Sequence, residues 1–413
     1  MRIAADRALL PLRLRALSSG LSPDRTADLL LLAALLQAIG FQTFIPILPI
    51  YFTNLGASPQ MIGAIQGGGL LAYGLSQYPA GWIADRFQAR AVALYSTLAY
   101  ASFFFVYLLP LPLEVMVPVR MLNAFAGGFF TPAALALLAE IAPAGKLSRA
   151  YGLWQSTMMT GYLLGPLLGG FVASVNVPLV FLGTATLLLL AVIPISRLPS
   201  GTRHEIAALG QSTARAPDPR LTWSLTWLLP AIGVAAGTEY LQGVYQATWS
   251  LHLLAHDAEI WQIGLSFSLI AVPSVLLSVW FGGLVDRRGA RRVMVAALGA
   301  VALLAPLLGS ISLVPLLVGL AALIAIFVAS VRPTVYSEAA RIVPADYRAR
   351  AQGVIQMSLM IVQTCGALVA GTLFTLSPLL SFSSVAAVCG MSLLAVPFLG
   401  RSRSEAATRP SRT

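Results

Sequence analysis

The chain has 413 residues, of which 58% are hydrophobic and 10% are charged, with a formal net charge of +11. Soluble domains carry about 25% charged residues, so this composition excludes a water-soluble globular protein and makes lipid the solvent. The positive excess would suit a nucleic-acid binder, but where the charges fall argues against that.

Residues 1–27 form a tail in which Leu9, Leu10, Leu14, Leu17 and Leu21 sit among five arginines. Arg13 and Arg15 break its apolar run, so it does not read as a cleavable signal peptide. It is either an amphipathic helix on an anionic leaflet or a disordered cytoplasmic tail. Six apolar runs follow, each near the roughly 20 residues that a helix needs to cross hydrocarbon: Leu29–Tyr51, Met61–Ile83, Ala91–Leu109, Val115–Ile141, Tyr151–Ala173 and Pro178–Ile195. They fill a first half, residues 28–196. A polar stretch at 197–222, rich in Pro, Gly, Ser and charge, reads as a cytoplasmic linker. The second half, 223–400, supplies Leu225–Leu251, Ile260–Leu284, Val293–Leu313, Val314–Ala340, Gly353–Leu376 and Leu379–Leu399, and residues 401–413 form a second tail. Twelve spans are predicted, numbered one to twelve in chain order.

The two halves are copies. A single shift of 201 residues carries Gly81, Asp85, Arg86 and Arg90 onto Gly282, Asp286, Arg287 and Arg291, and carries Pro132 onto Pro333. The same shift carries Ile62-Gly63 onto Ile263-Gly264, and Pro143, Arg149 and Gly152 onto Pro344, Arg350 and Gly353. Parallel repeats in an apolar chain predict a carrier whose halves rock about a site near mid-membrane. Of the 26 basic residues, all but Arg120 and Arg332 fall in the tails, the linker or the turns after spans two, four, eight and ten. Those segments share one face. This asymmetry puts both termini in the cytoplasm and predicts a multi-pass protein of the inner membrane, with the bilayer and a small molecule as partners and no nucleic acid.

Polar residues inside the spans are the candidates for chemistry. Glu239 sits near the middle of span seven, with Gln242 and Gln246 on its face and Tyr245 and Trp249 nearby. Hydrocarbon disfavours the charged form of an isolated carboxylate, so Glu239 reads as a proton carrier, an anchor for a cationic substrate, or a hydrogen-bonded structural acid. Arg120, Asn123, Gly127 and Thr131 form one stripe of span four. A charge there faces protein or water, or else snorkels to the outer interface. A cavity lined by spans one, two, four and five and their copies would take Gln37, Gln42, Gln66, Tyr73, Gln77, Asn123, Gln155 and Tyr162 from the first half. From the second it would take Gln242, Tyr245, Gln246, Trp249, Arg332, Tyr336, Gln356 and Gln363. Each alone also suits an interhelical hydrogen bond.

Glu140 and Glu338, at the cytoplasmic ends of spans four and ten, are expected to pair with arginines. His252 and His256 read as part of a solvated outer loop, with too few neighbouring ligands for a metal. Cys365 and Cys389 lie in apolar runs and read as buried free thiols. There is no phosphate loop, nucleotide fingerprint, nucleophile elbow or zinc motif, so neither an enzyme nor an ATP-driven pump is expected.

Span five carries Gly161-Tyr-Leu-Leu-Gly165-Pro166-Leu-Leu-Gly169-Gly170. Small residues every fourth position make a groove where a second backbone can approach. This run, with the loop motif Gly81-x3-Asp85-Arg86-x3-Arg90 and its copy Gly282-x3-Asp286-Arg287-x3-Arg291, resembles the major facilitator superfamily over nearly the whole chain. The span-five element is similar, letter for letter, to GxxxGPxxGG of that family's proton-coupled drug exporters. The first loop copy departs from the pattern, with Gln88 and Ala89 where a glycine and a basic residue are common, whereas the second keeps Gly289.

The resemblance implies an all-α integral membrane fold: a twelve-helix bundle of two pseudo-symmetric six-helix halves, commonly a monomer. It implies a gating latch at Asp85 and Asp286 and a proton-transfer role for Arg120, although Asn123-Ala124 replaces the expected Gln-Gly. Exporters of the family often keep an acid in span one, where this chain has only Gln37 and Gln42. The expected function is secondary active transport by alternating access, a multidrug-efflux-like antiporter with a proton as coupling ion and no other cofactor. The proton would be carried by Glu239 with Arg120. Two alternatives stay open: a sugar or metabolite carrier or flippase for a lipid-linked head group gripped by Arg120 and Arg332, and a membrane-embedded enzyme or scaffold.

Overall fold

A computed structural model of the chain describes residues 23–142, 147–198, 227–343 and 348–399. Most of both tails and most of the linker, residues 199–226 included, lie outside the described residues. Among those described, every regular element is a helix. Lipid leaves no other open-ended choice, because each backbone N–H and C=O must find its partner within its own segment.

Among the described residues the helices group into the twelve predicted spans, and their boundaries repeat with the 201-residue shift seen in the sequence. Leu113–Gly127 and Phe130–Ile141 return as Val314–Val328 and Val331–Ile342, and Leu147–Val175 returns as Arg348–Leu376. The other spans are Pro59–Arg86, Ala89–Val106, Val177–Ser196, Ile260–Arg288, Ala290–Leu308 and Pro378–Ala395, with spans one and seven broken into shorter pieces. Ten helical segments are long and apolar enough to cross a membrane on length and composition alone. Spans two and seven fall outside that set. Span two is diluted by glycines and glutamines, and span seven is cut into Leu229–Val244, a π-helical Tyr245–Trp249 and Ser250–Leu254.

Proline explains the break in span four. Pro132 has no N–H to give to the Gly128 carbonyl one turn earlier, the helix stops at Gly127 and restarts at Phe130, and Gln77 Nε2 donates to the released Gly128 carbonyl at 3.1 Å. Pro333 repeats the break between Val328 and Val331 in span ten. In span one, Pro46 and Pro49 separate Pro23–Phe44 from Leu48–Asn54.

By proximity the described residues fall into two compact units. One draws on the described residues within 1–44 and 75–213, the other on those within 45–74 and 214–413. Contact therefore groups the far end of span one and most of span two with the second repeat.

A glycine seam runs through each unit. In the first, a Cβ on Gly165 would lie 2.5 Å from Gln42 Cβ and 2.8 Å from the Ile39 carbonyl oxygen. One on Gly161 would strike Ala38, and one on Gly169 the Thr43 carbonyl. The groove of span five thus holds the backbone of span one, and Pro166 sits inside an unbroken helix. In the second unit Gly366 abuts the Tyr240 carbonyl. Gly366 and Tyr240 are the 201-residue images of Gly165 and Ile39.

The turn after span eight uses Gly289 at φ 83°, a left-handed conformation suited to glycine. Its image, Gln88, is extended at φ −60° and ψ 119°, which any side chain accepts. The departure from the family pattern in the first copy is therefore a change of turn geometry.

Gly169→Val is expected to lower the thermal unfolding midpoint of detergent-purified protein, by an overpacking loss of about 1–3 kcal/mol, because the obstacle is backbone. Gly183→Ala, where a Cβ would meet nothing within 4 Å, should leave it unchanged. Equal effects would refute the seam.

Candidate functional site

Span seven starts with Pro230 in its first turn and is hemmed by two neighbours. On Gly237 a Cβ would lie 2.7 Å from Cys389 Sγ of span twelve, and on Gly243 it would strike the Gln363 carbonyl of span eleven. Glu239 lies one turn before Gly243, so this close approach delivers Gln363 to it. Gln363 Nε2 donates to Glu239 Oε2 at 2.6 Å. From span ten, just past the proline break, Arg332 Nε donates to Oε1 at 2.7 Å and Nη2 to Oε2 at 2.8 Å. The carboxyl group thus faces three donors, an arrangement that only its ionised, acceptor-only form accepts in full.

The two ions are unequally placed. The Glu239 side chain is 2% exposed, that of Arg332 45%. The sequence reading of an isolated acid is corrected here: Glu239 has a bidentate partner 93 positions away. Beside the pair, Tyr336 donates its hydroxyl to Gln356 Oε1 at 2.8 Å. Gln242 and Gln246 are half-buried on the same span.

Beyond Gly243 the helix widens into a π turn, a form frequent at functional sites. The Gln246 carbonyl within it accepts from Gln66 Nε2 at 2.9 Å. Further contacts join the same parts of this unit. Ser250 donates to the Pro46 carbonyl at 2.7 Å, Thr364 to the Gly67 carbonyl at 3.3 Å, and a Cβ on Gly63 would lie 2.5 Å from the Ala367 carbonyl oxygen. Tyr245 and Trp249, expected to line a cavity, are packed instead. Trp249 is fully buried with its indole N–H on Ser266 at 2.9 Å, and the Tyr245 hydroxyl is buried without a hydrogen-bond partner.

His252 is also corrected. It is buried rather than solvated, with Nε2 2.8 Å from the Leu308 carbonyl and its ring against Phe382. His256 Nδ1 lies 2.8 Å from the His252 carbonyl, and Glu259 caps span eight through a reciprocal capping box with Gln262. Cys389 is a buried free thiol, whereas Cys365 is exposed, because Gly366 and not Cys365 turns toward span seven.

The first unit holds the other candidates. Gln37 Nε2 donates to Thr97 Oγ1 at 2.5 Å, and Gln42 is buried against Gly165. Arg120 is only 4% exposed, so it does not snorkel to the interface. Its guanidinium carbon stands 5.8 Å from the centre of the Phe44 ring. Its Nε and the Oδ1 of Asn123 are both buried without a hydrogen-bond partner. Gln155 and Tyr162 of span five are exposed, and Tyr73 is half-buried.

In the loop motifs, Arg90 Nη2 donates to the Ser196 carbonyl at 2.5 Å, and Arg291 donates through Nε and Nη2 to the Leu399 carbonyl at 3.0 and 2.6 Å. Each ties its motif to the last carbonyls of the repeat's sixth span, where a cation is favoured. Arg86 lies 4.1 Å from the centre of the Trp82 ring, and Arg287 is exposed. The side chains of Asp85 and Asp286, with Gly81 and Gly282, lie outside the described residues, and so does any latch. Glu338 pairs with Arg341 at 2.9 Å, as expected of it.

The profile of the Major Facilitator Superfamily matches residues 30–253 and 229–413. The chain belongs to that superfamily. It is 25% identical over 266 residues to an uncharacterised MFS-type transporter of Methanocaldococcus jannaschii, covering 62% of this chain and 67% of the relative. It is 25% identical over 156 residues to the quinolone resistance protein NorA of Staphylococcus aureus, covering 36% of this chain and only 39% of NorA.

Among solved structures, a bacterial homologue of the human lysosomal transporter Spinster superposes with a TM-score of 0.74 at 14% identity, covering 95% of this chain and 99% of that one. The nucleoside transporter NupG gives 0.71 at 16%, covering 92% and 99%. At these identities the likeness is of fold. The chain is a multi-pass membrane transporter of the superfamily's all-α fold, and not an enzyme.

Truncating one member of a fully buried ion pair costs about 3–5 kcal/mol because the other charge is stranded. Arg332→Ala strands the buried carboxylate, so its unfolding midpoint in detergent should fall the more, with a loss of about 2–4 kcal/mol. Glu239→Gln strands only a half-exposed cation and should lose less. The reverse order would contradict the asymmetry.

Proposed function

We propose that this chain is a proton-coupled exporter of amphipathic or lipophilic small molecules, working by alternating access in the inner membrane with both termini in the cytoplasm. The observation that carries the reading is Glu239: one ionisable acid, 2% exposed in the middle of a membrane span, held by a cation that is 45% exposed. An ionisable residue at that depth is costly and is a functional site by default. A proton arriving at the carboxyl turns an acceptor facing three donors into a group that also donates, and the ion pair loosens. Arg332 sits at the restart of a proline-broken span, where the helix is easiest to re-aim.

The export direction rests on the match of Gly161–Gly170 to the exporters' element and on the partial likeness to NorA, a drug resistance protein. The amide and tyrosine side chains near the pair, Gln242, Gln356, Gln363 and Tyr336, suit a partly apolar site with few directional contacts.

In proteoliposomes, an imposed pH gradient should drive a lipophilic dye across the bilayer. Glu239→Gln should abolish the gradient dependence, leaving at most downhill movement. Gradient-driven transport unchanged in that variant would overturn the assignment of Glu239 as proton carrier.

A further inference from the structure

We infer that the substrate is an amphipathic anion, anchored in the first unit by Arg120. The inference rests on the exporter reading above and adds the charge of the cargo.

Among the described residues, two guanidiniums, Arg120 and Arg332, and one carboxylate, Glu239, lie well inside the spans. The carboxylate is already committed to Arg332 by two hydrogen bonds and to Gln363 by a third. It is the poorer anchor for a cationic compound, and one positive charge is left over. That charge is on Arg120, which is the more deeply buried of the two arginines at 4% exposure. Among the described residues no carboxylate pairs with it, and its Nε has no hydrogen-bond partner. The Phe44 ring, 5.8 Å from the guanidinium carbon, offsets little of the desolvation. One turn along the same helix face, Asn123 Oδ1 is also buried without a partner. Of these two orphaned groups only the guanidinium can donate, and it fits an anionic head group that takes its hydrogen bonds.

Phe44 packs edge-on to Phe104 at 4.9 Å and to Phe41 at 5.9 Å, and Tyr100 packs on Phe104 at 5.1 Å. Phe125, on the same span as Arg120, is exposed. Phe44, Phe104 and Tyr100 are themselves buried, so they wall off one side of the guanidinium, and the apolar body of a carboxylate or sulfonate comes from the exporter reading. Arginine rather than lysine suits this role, because its planar fork meets both oxygens of such a group.

The test uses three dansyl probes that differ only in the head group: dansylaminoundecanoate, its carboxamide, and the corresponding alkylammonium. Saturable fluorescence binding to the purified full-length protein reads the inference, and gradient-driven movement in proteoliposomes reads the exporter function. The carboxylate is expected to bind at least about tenfold more tightly than the other two and to raise the unfolding midpoint. Arg120→Gln should erase that preference and leave carboxamide and alkylammonium binding within about twofold. Arg120→Lys should restore part of it.

Without probe, Arg120→Gln should unfold no earlier than wild type, since it removes an uncompensated buried charge. A fall in its midpoint would make Arg120 structural and overturn the inference. So would tighter binding of the alkylammonium, or a carboxylate preference that survives Arg120→Gln. Loss of gradient-driven movement for every probe alike in Arg120→Gln, with carboxylate binding intact, would assign Arg120 to proton transfer instead. If wild type binds the carboxylate but moves none of the three, the exporter reading fails while the anion site stands.

Discussion

The close approach of two helix backbones governs what the rest of this protein can do. Span five meets span one where Gly165 abuts the Ile39 carbonyl, and span eleven meets span seven where Gly366 abuts the Tyr240 carbonyl. In lipid there is no hydrophobic gain from bringing apolar helices together, so tight van der Waals packing between small residues takes over that task. The contact is conserved in register between the repeats, but the residues around it are not. In the first repeat Gln42 lies against Gly165. Its image in the second is Gly243, which accepts the Gln363 carbonyl instead. That single exchange lets Gln363 reach Glu239, so two structurally equivalent seams yield one polar cluster and one packed interface.

Proline acts by a similar logic of removal. A missing N–H frees a carbonyl, and the freed carbonyl must be satisfied within the protein. Gln77 does this for Gly128. The π turn of span seven gives a related result without proline, since its Gln246 carbonyl is available to Gln66. These glutamines are explained by backbone accounting before any ligand is invoked. The accounting is complete for Gln77 but not for Gln66, whose Oε1 is buried without a partner, as are the Arg120 Nε and the Asn123 Oδ1.

Much of the architecture was legible in the chain. The 201-residue repeat, the apolar runs and the one-sided arginines follow from periodicity and charge, which lipid makes stringent. The small-residue face of span five was legible as a groove, though not its occupant. The pairing of Glu239 with Arg332 was not legible, because it depends on how far three spans rotate about their own axes. Each looks acceptable in hydropathy at several rotations. His252 failed for a different reason: next to Asp257 and Glu259 it reads as loop, yet its ring lies against Phe382 and its Nε2 on the Leu308 carbonyl from a later span. Trp249 and Tyr245 were misplaced by the π turn, which adds a residue to the helix period and turns them into packing.

The ion pair also has a direction built into it. Glu239 is fixed by Gln363, by the glycines on either side of it, and by its burial. Arg332 is half-exposed and stands two residues past a helix break. When such a pair opens, the member that can be solvated moves and the other stays. An open pair with Glu239 still ionised would leave a carboxylate in a dry site, which is far costlier than leaving a guanidinium near water. In the proton-coupled reading proposed above, opening would follow neutralisation of Glu239. The same asymmetry that holds the closed pair fixes which of its members would move.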